Sequence, residues 1–261
     1  MIEFFQTAFK YRGILFYRTL ASLRADARGL YLGYIWWFLE PVLNTALYYF
    51  IFAVVLGSKT PDFIAYLLLG TTVFQWFQAC VMGSAGTIVS RAHLYRRIPL
   101  PKFLFALIAI FANTWKFCCV LAVVLIYIIL SSGKGFSISM LWLPFLVLVQ
   151  LVLVFGLAIN MSIASAYVKD FRTFTSVLFR ALMFLSGIFW DVSKVPEDFK
   201  WAFFANPGAA IIQCFRSVVL AEKSPSFVLL AYILVLGCAL ITIGMIWHRR
   251  IDGHILKQIR A

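Results

Sequence analysis

The chain has 261 residues, 63% of them apolar and 13% charged, whereas soluble domains run nearer half apolar and a quarter charged. The apolar residues fall in long blocks, which excludes an ordinary water-soluble globule. A net charge of +13 suits nucleic acid in principle, but the cations lie between the apolar blocks, as they do in loops along one bilayer face.

Residues 1–33 come first. Phe4, Phe5, Phe9, Leu15, Phe16, Leu20 and Leu23 alternate there with Lys10, Arg12, Arg18 and Arg24. The pattern predicts an amphipathic arm lying in the membrane interface rather than crossing it. The start lacks the basic region, apolar core and small-residue site of a cleavable signal. Six spans follow, at roughly 34–57, 63–89, 103–131, 140–166, 173–190 and 227–247. They make a membrane domain of 34–248, closed by a basic tail, 249–261. The predicted fold is an all-α membrane protein with six transmembrane helices, an N-terminal interfacial helix and two short re-entrant helices between spans five and six.

The re-entrant expectation rests on residues 194–221. Trp201, Phe203 and Phe204 make this stretch too apolar for a plain loop, yet each half is too short to cross. Asn206, Pro207 and Gly208 supply strong turn chemistry between the halves. Irregular backbone at membrane depth must be buried in protein or line a wet cavity. An amphipathic hairpin resting on the membrane is the other reading.

Basic residues set the orientation. Arg12, Arg18, Arg24, Arg91, Arg96, Arg97, Lys169, Arg172, Arg249 and Arg250 fall on one side, and Lys59, Lys134, Lys194, Lys200, Arg216 and Lys223 on the other. The richer side reads as cytoplasmic and carries both termini. Lys116 and Arg180 fall inside spans.

Chemistry-bearing motifs are missing. "GSKT" (57–60) and "SGKG" (132–135) lack the spacing of a phosphate-binding loop. His93, His248 and His254 all sit at or beyond span ends, and the acids are scattered. The five cysteines show no C-x-x-C pattern and read as packing residues. No catalytic residue and no metal site is expected.

One feature does stand out. Glu40 and Pro41 interrupt the apolar run "GYIWWFLEPVLN" (33–44). Glu40, Asn44 and Tyr48 share a helix stripe. An ionised carboxylate in mid-helix costs roughly 2.5–3.5 kcal/mol on insertion scales, so the stripe should face a cavity or another helix rather than lipid. A buried ion pair with Lys116 or Arg180 is the competing account. Gln75 and Gln78, with Trp76 and Phe77 between them, add amides and rings of the kind that handle sugars.

Four segments together resemble the permease subunits of ABC-type polysaccharide exporters, which move O-antigen, capsule or teichoic acid chains. They are "LGYIWWFLEPVLNTALYYFIFAVVLG" (32–57), "SRAHLYRRIPLPKFLFAL" (90–107), "ASAYVKDFRTF" (164–174) and "LSGIFWDVSKVPEDFKWAFFANPGAAIIQCFRSVVL" (185–220). The resemblance implies a bacterial inner-membrane protein that pairs with a second copy of itself. It implies two separate ATP-binding subunits that hold ATP and Mg, with no cofactor on this chain, and a lipid-linked polysaccharide as cargo. O-antigen is the first choice, with capsule or teichoic acid next.

It also implies that 90–99, with Arg91, His93, Leu94, Tyr95, Arg96 and Arg97, forms the helix that docks on the ATPase. Tyr31, Tyr34, Trp37, Tyr48, Phe184, Phe189 and Trp190 are then candidate channel rings beside Glu40 and Asn44. A drug- or lipid-exporting permease shares the same frame. A membrane glycosyl or acyl transferase is a more distant alternative.

Overall fold

The computed structural model describes residues 9–28, 31–57, 62–87, 103–132, 135–168, 170–192 and 195–258. Among these residues all regular structure is helical. The α-helices are α1 (Arg12–Arg28), α2 (Trp36–Tyr49), α3 (Phe63–Ser84), α4 (Phe103–Ser132), α5 (Leu143–Tyr167), α6 (Phe171–Leu185), α7 (Lys200–Ala205), α8 (Pro207–Val219) and α9 (Phe227–Gln258). A 3₁₀ turn, Gly33–Ile35, leads into α2, and a wider π turn, Phe50–Val55, continues it.

Five stretches are long and apolar enough to cross a membrane: Gly33–Val55, Phe63–Ser84, Phe103–Ser131, Ile138–Tyr167 and Phe227–Trp247. The expected fifth span, 173–190, is not among them. Its helix α6 stops at Leu185, and the chain turns through 186–190 with Gly187 at φ +66°.

The bundle is built around α3. That helix is apolar on every side, which suits a central position, and its span is 72% buried against 11% for Gly33–Val55. Leu67, Leu69, Val73, Phe74 and Cys80 of α3 join Val149, Leu153 and Val154 of α5 and Ile211, Phe215 and Val218 of α8 in one core. Helices α5 and α9 lie so close that a Cβ on Gly156 would stand 2.8 Å from Leu240 and 2.9 Å from the Gly237 carbonyl. Small residues let backbones approach in this way where lipid gives no hydrophobic drive to association. Asn160 adds Nδ2–H bonds to the carbonyls of Leu240 (2.8 Å) and Gly156 (2.7 Å).

Helix α1 packs on the beginning of α4, where Leu15 meets Phe103, Leu104, Phe105, Leu107 and Ile108. Its Phe16 and Tyr17 remain exposed. Helices α7 and α8 form a hairpin at Asn206. The Asn206 side chain accepts from Gly208 N–H at 2.9 Å, and Pro207 occupies the first helical turn, where its missing N–H costs nothing. At the far end of α8, the Ser139 hydroxyl donates to the Val218 carbonyl at 2.9 Å. Helix α8 is buried along most of its length against α3, α5 and α9.

Candidate functional site

Four of the expected residues, Tyr48, Phe184, Phe189 and Trp190, meet where the end of α2 faces the end of α6. Tyr48 and Phe52, one turn apart, both rest on Phe189, Tyr48 edge-on at 4.7 Å and Phe52 stacked at 4.6 Å. The Tyr48 hydroxyl points at the Met183 sulfur, 3.7 Å away. Phe184 lies against Phe189 at 5.2 Å, and Trp190 Nε1–H donates to the Phe184 carbonyl at 3.2 Å. Trp190 also packs on Phe203 of α7 at 5.3 Å. The cluster ties the end of α6 to the end of α2 and the π turn that continues it.

The residues of this group differ in access. Tyr31, Tyr34 and Glu40 are exposed, Asn44 and Tyr48 half-buried, and Phe184 is 53% exposed. Arg180 of α6 is exposed as well. Tyr34 sits edge-on to Trp37 at 4.9 Å. Phe189 is only 2% exposed and serves as the packing centre for the other rings, so it presents no surface to a cargo. Trp76 and Phe77 are likewise interior. Trp76 stacks on Phe117 at 4.0 Å, and Phe77 meets Phe179 at 5.2 Å.

The ion pair considered for Glu40 is not formed. Lys116 pairs with Asp26 of α1 at 2.5 Å and stands 5.5 Å over the Trp37 ring. Glu40 makes no ion pair among the described residues, and Arg180 stays apart from it. Thr45 and Pro41, on the neighbouring stripe, are the buried positions of α2. Pro41 lacks an N–H, so the Trp37 carbonyl one turn earlier loses its helical partner.

Arg216 is the residue the sequence reading misplaced. Counted there with the loop cations, it is 4% exposed in the heart of the bundle. Its Nη1 donates to the Gly187 carbonyl at 2.7 Å, and its Nη2 to the carbonyls of Tyr66 (3.0 Å) and Ile188 (3.1 Å). The guanidinium carbon lies 3.3 Å from the centre of the Tyr66 ring. The Tyr66 hydroxyl in turn donates to the Trp190 carbonyl at 2.8 Å.

These two side chains therefore satisfy the non-helical backbone after α6, as burial away from water demands. They are why α6 can stop at Leu185 inside an apolar run. Gly70 makes room for the guanidinium, because a Cβ there would stand 2.5 Å from Nη2. The sequence signal was the unusual Phe215-Arg216 inside the apolar segment, read together with a glycine in mid-span. Ser186 completes the corner, accepting from Asn206 Nδ2–H at 2.9 Å and donating to the Leu182 carbonyl at 2.6 Å. Asn206, Pro207 and Gly208 form the break between α7 and α8. Arg91, His93, Leu94, Tyr95, Arg96 and Arg97 lie outside the described residues.

Several apolar helices around a buried core, with a polar and aromatic face left open on α2 and α6, define a multi-pass membrane protein with a surface unsuited to lipid. Comparison with known proteins names the class more closely. The profile of the ABC-2 type transporter family matches residues 15–220, and the chain belongs to that family. It is 25% identical over 201 residues to an O-antigen export system permease protein RfbA of Klebsiella pneumoniae, covering 77% of each chain. It is 23% identical over 227 residues to the O-antigen export system permease protein RfbA of Myxococcus xanthus, covering 86% of this chain and 87% of that one. A polysialic acid transport protein KpsM of Escherichia coli is 22% identical over 234 residues, covering 88% and 90%.

Proposed function

We propose that this chain is the membrane subunit of an ATP-driven exporter that moves a lipid-linked polysaccharide out of the cytoplasm. O-antigen is the first choice of cargo, and a capsule-type polymer the second. The observation that carries the reading is the open face of α2 and α6. Glu40, Arg180, Tyr34 and Phe184 are exposed there and Asn44 is half-buried. The charged and amide groups among them avoid lipid. A second copy of the chain, face to face with the first, would enclose them as a polar and aromatic path. Amides and charges suit sugar hydroxyls there, while ring faces suit the C–H side of a pyranose.

The names of the relatives support the cargo class. The cations of 90–99 and of the tail support a cytoplasmic face, onto which two ATPase subunits dock. In this reading α6 and the corner after it make a sixth, interrupted crossing. Helices α7 and α8 then dip into the outer half of the bilayer, held by Arg216.

Complementation tests the proposal. A strain deleted for the gene should lose surface polymer and accumulate lipid-linked polymer inside, and the wild-type gene should restore export. Glu40→Gln keeps shape and hydrogen bonding, so it should melt as wild type yet restore export only in part. Unchanged surface polymer in the deleted strain refutes the export role. Full export by Glu40→Gln removes Glu40 from the path.

A further inference from the structure

A second feature lies on the neighbouring stripe of α2. An apolar cleft of about 460 Å³ opens between α2, α3 and α4. Pro41, Thr45 and Tyr49 line it from α2, and Val120, Val124 and Tyr127 from α4. Each set repeats at one-turn spacing, so each is a single stripe. Lys116 continues the α4 stripe one turn beyond Val120, and Trp37 continues the α2 stripe one turn beyond Pro41. The two meet, with Nζ 5.5 Å over the indole. One end of an apolar cleft is therefore marked by a cation and an amphipathic ring.

Two further observations point to an occupant. Thr45 lines the cleft and is only 4% exposed, and its buried hydroxyl has no hydrogen-bond partner. The anion now on Lys116, Asp26, is 46% exposed and Lys116 itself 24%, so this pair is loosely held and open to competition. Lys116 falls midway along its own span, Phe103–Ser131, but it stands over Trp37, four residues or about 6 Å of helix rise from Gly33, where the neighbouring span begins, which places the pair near one boundary of a ~30 Å hydrocarbon core.

We propose that the cleft seats one acyl chain of an anionic phospholipid, with the lipid phosphate on Lys116 and the Trp37 indole beside it. Size selects an ordinary membrane lipid. At about 30 Å³ for a water-sized group, the cleft holds on the order of fifteen methylenes, the length of one common acyl chain and far short of a polyprenyl carrier. The lipid belongs to the cytoplasmic leaflet, a placement that rests on the orientation proposed above. The cleft lies between α2, α3 and α4, away from α6, and the proposed lipid site shares with the candidate channel residues only Trp37.

Lipid retention in detergent has no sidedness and needs no export, so it tests the site independently of the transport reading. The chain is reconstituted in equimolar phosphatidylethanolamine and phosphatidylglycerol and re-extracted. Bound lipid is then counted by mass spectrometry. Wild type should retain phosphatidylglycerol. Ala46→Trp fills the cleft and should lose it. Lys116→Gln should keep a lipid but lose the preference for the anionic one. Asp26→Asn, which frees Lys116, should raise that preference up to about fivefold. Equal retention by wild type and a folded Ala46→Trp overturns the proposal. So does unchanged selectivity in Lys116→Gln, a variant that leaves the cleft intact should the tryptophan prevent folding. Retention of polyprenyl phosphate instead, or cross-linking of Ala46→Cys to a second copy, also overturns it.

Discussion

Arg216 shows how much one side chain can decide here. Its fork meets three carbonyls from two distant segments, Tyr66 on one side and Gly187 and Ile188 on the other. Arg216→Gln would strand the Ile188 carbonyl away from water and leave Gly187 with only the Tyr66 hydroxyl, 3.2 Å away, as donor. Losing such charge-assisted bonds should cost about 3–5 kcal/mol, read as a large fall in melting temperature in detergent. Arg216→Lys keeps the charge but not the planar fork, and should recover only part of that loss. If Arg216→Gln melts as wild type, the corner after α6 is held by something else. Glu40 is the contrasting case. Its placement at an uncovered surface was legible from the stripe it shares with Asn44 and Tyr48. Its lack of a cation was not, because the partner that claims Lys116 is Asp26, 90 residues away in sequence on a helix read as interfacial.

Among the elements, the long spans were legible and the short one was not. Spans of twenty or more apolar residues carry their own signal, which length and hydropathy capture. The fifth run ends its helix early because Gly187 turns the chain at positive φ and the Arg216–Tyr66 pair donates from elsewhere to the carbonyls that follow, and no count of apolar residues contains that information. The short hairpin of α7 and α8 gave a clearer local signal, since Asn206-Pro207 is a helix start by chemistry alone. The pairing of α5 with α9 was silent until the structure placed Gly156 against Gly237. Gly156→Leu would force these backbones apart. An overpacking cost of about 1–3 kcal/mol follows, whereas Gly13→Leu, in open space on α1, should leave the melt unchanged. Equal melting of the two variants would show that α5 and α9 are not held by close backbone contact.

For the whole molecule, the transport reading divides labour between faces and ends. Motion must enter through the loop that carries Tyr95 and Arg96 if the energy comes from separate ATPase subunits. Tyr95→Ala with Arg96→Glu removes a packing knob and reverses a charge. The doubly substituted chain should insert and melt normally, should copurify less of the ATPase, and should export little. Normal export with normal copurification would move the docking point elsewhere. Helix α2 is suited to respond to such motion. Its backbone ladder is interrupted at Pro41 and widened again at Phe50–Val55, so its middle can shift while its ends stay anchored.

The arginine lock also sets a timetable for biosynthesis. Tyr66 and Arg216 are 150 residues apart. At ordinary synthesis rates of about 5–20 residues per second, the Tyr66 segment waits roughly 8–30 s for its partner to leave the ribosome. Through that interval the Gly187–Trp190 backbone has no arginine to bind once it emerges. A nascent chain truncated before Arg216 should therefore be a preferred target of membrane proteolysis, and one truncated just after α8 should survive. The last turn of α8 closes a clock that α3 starts.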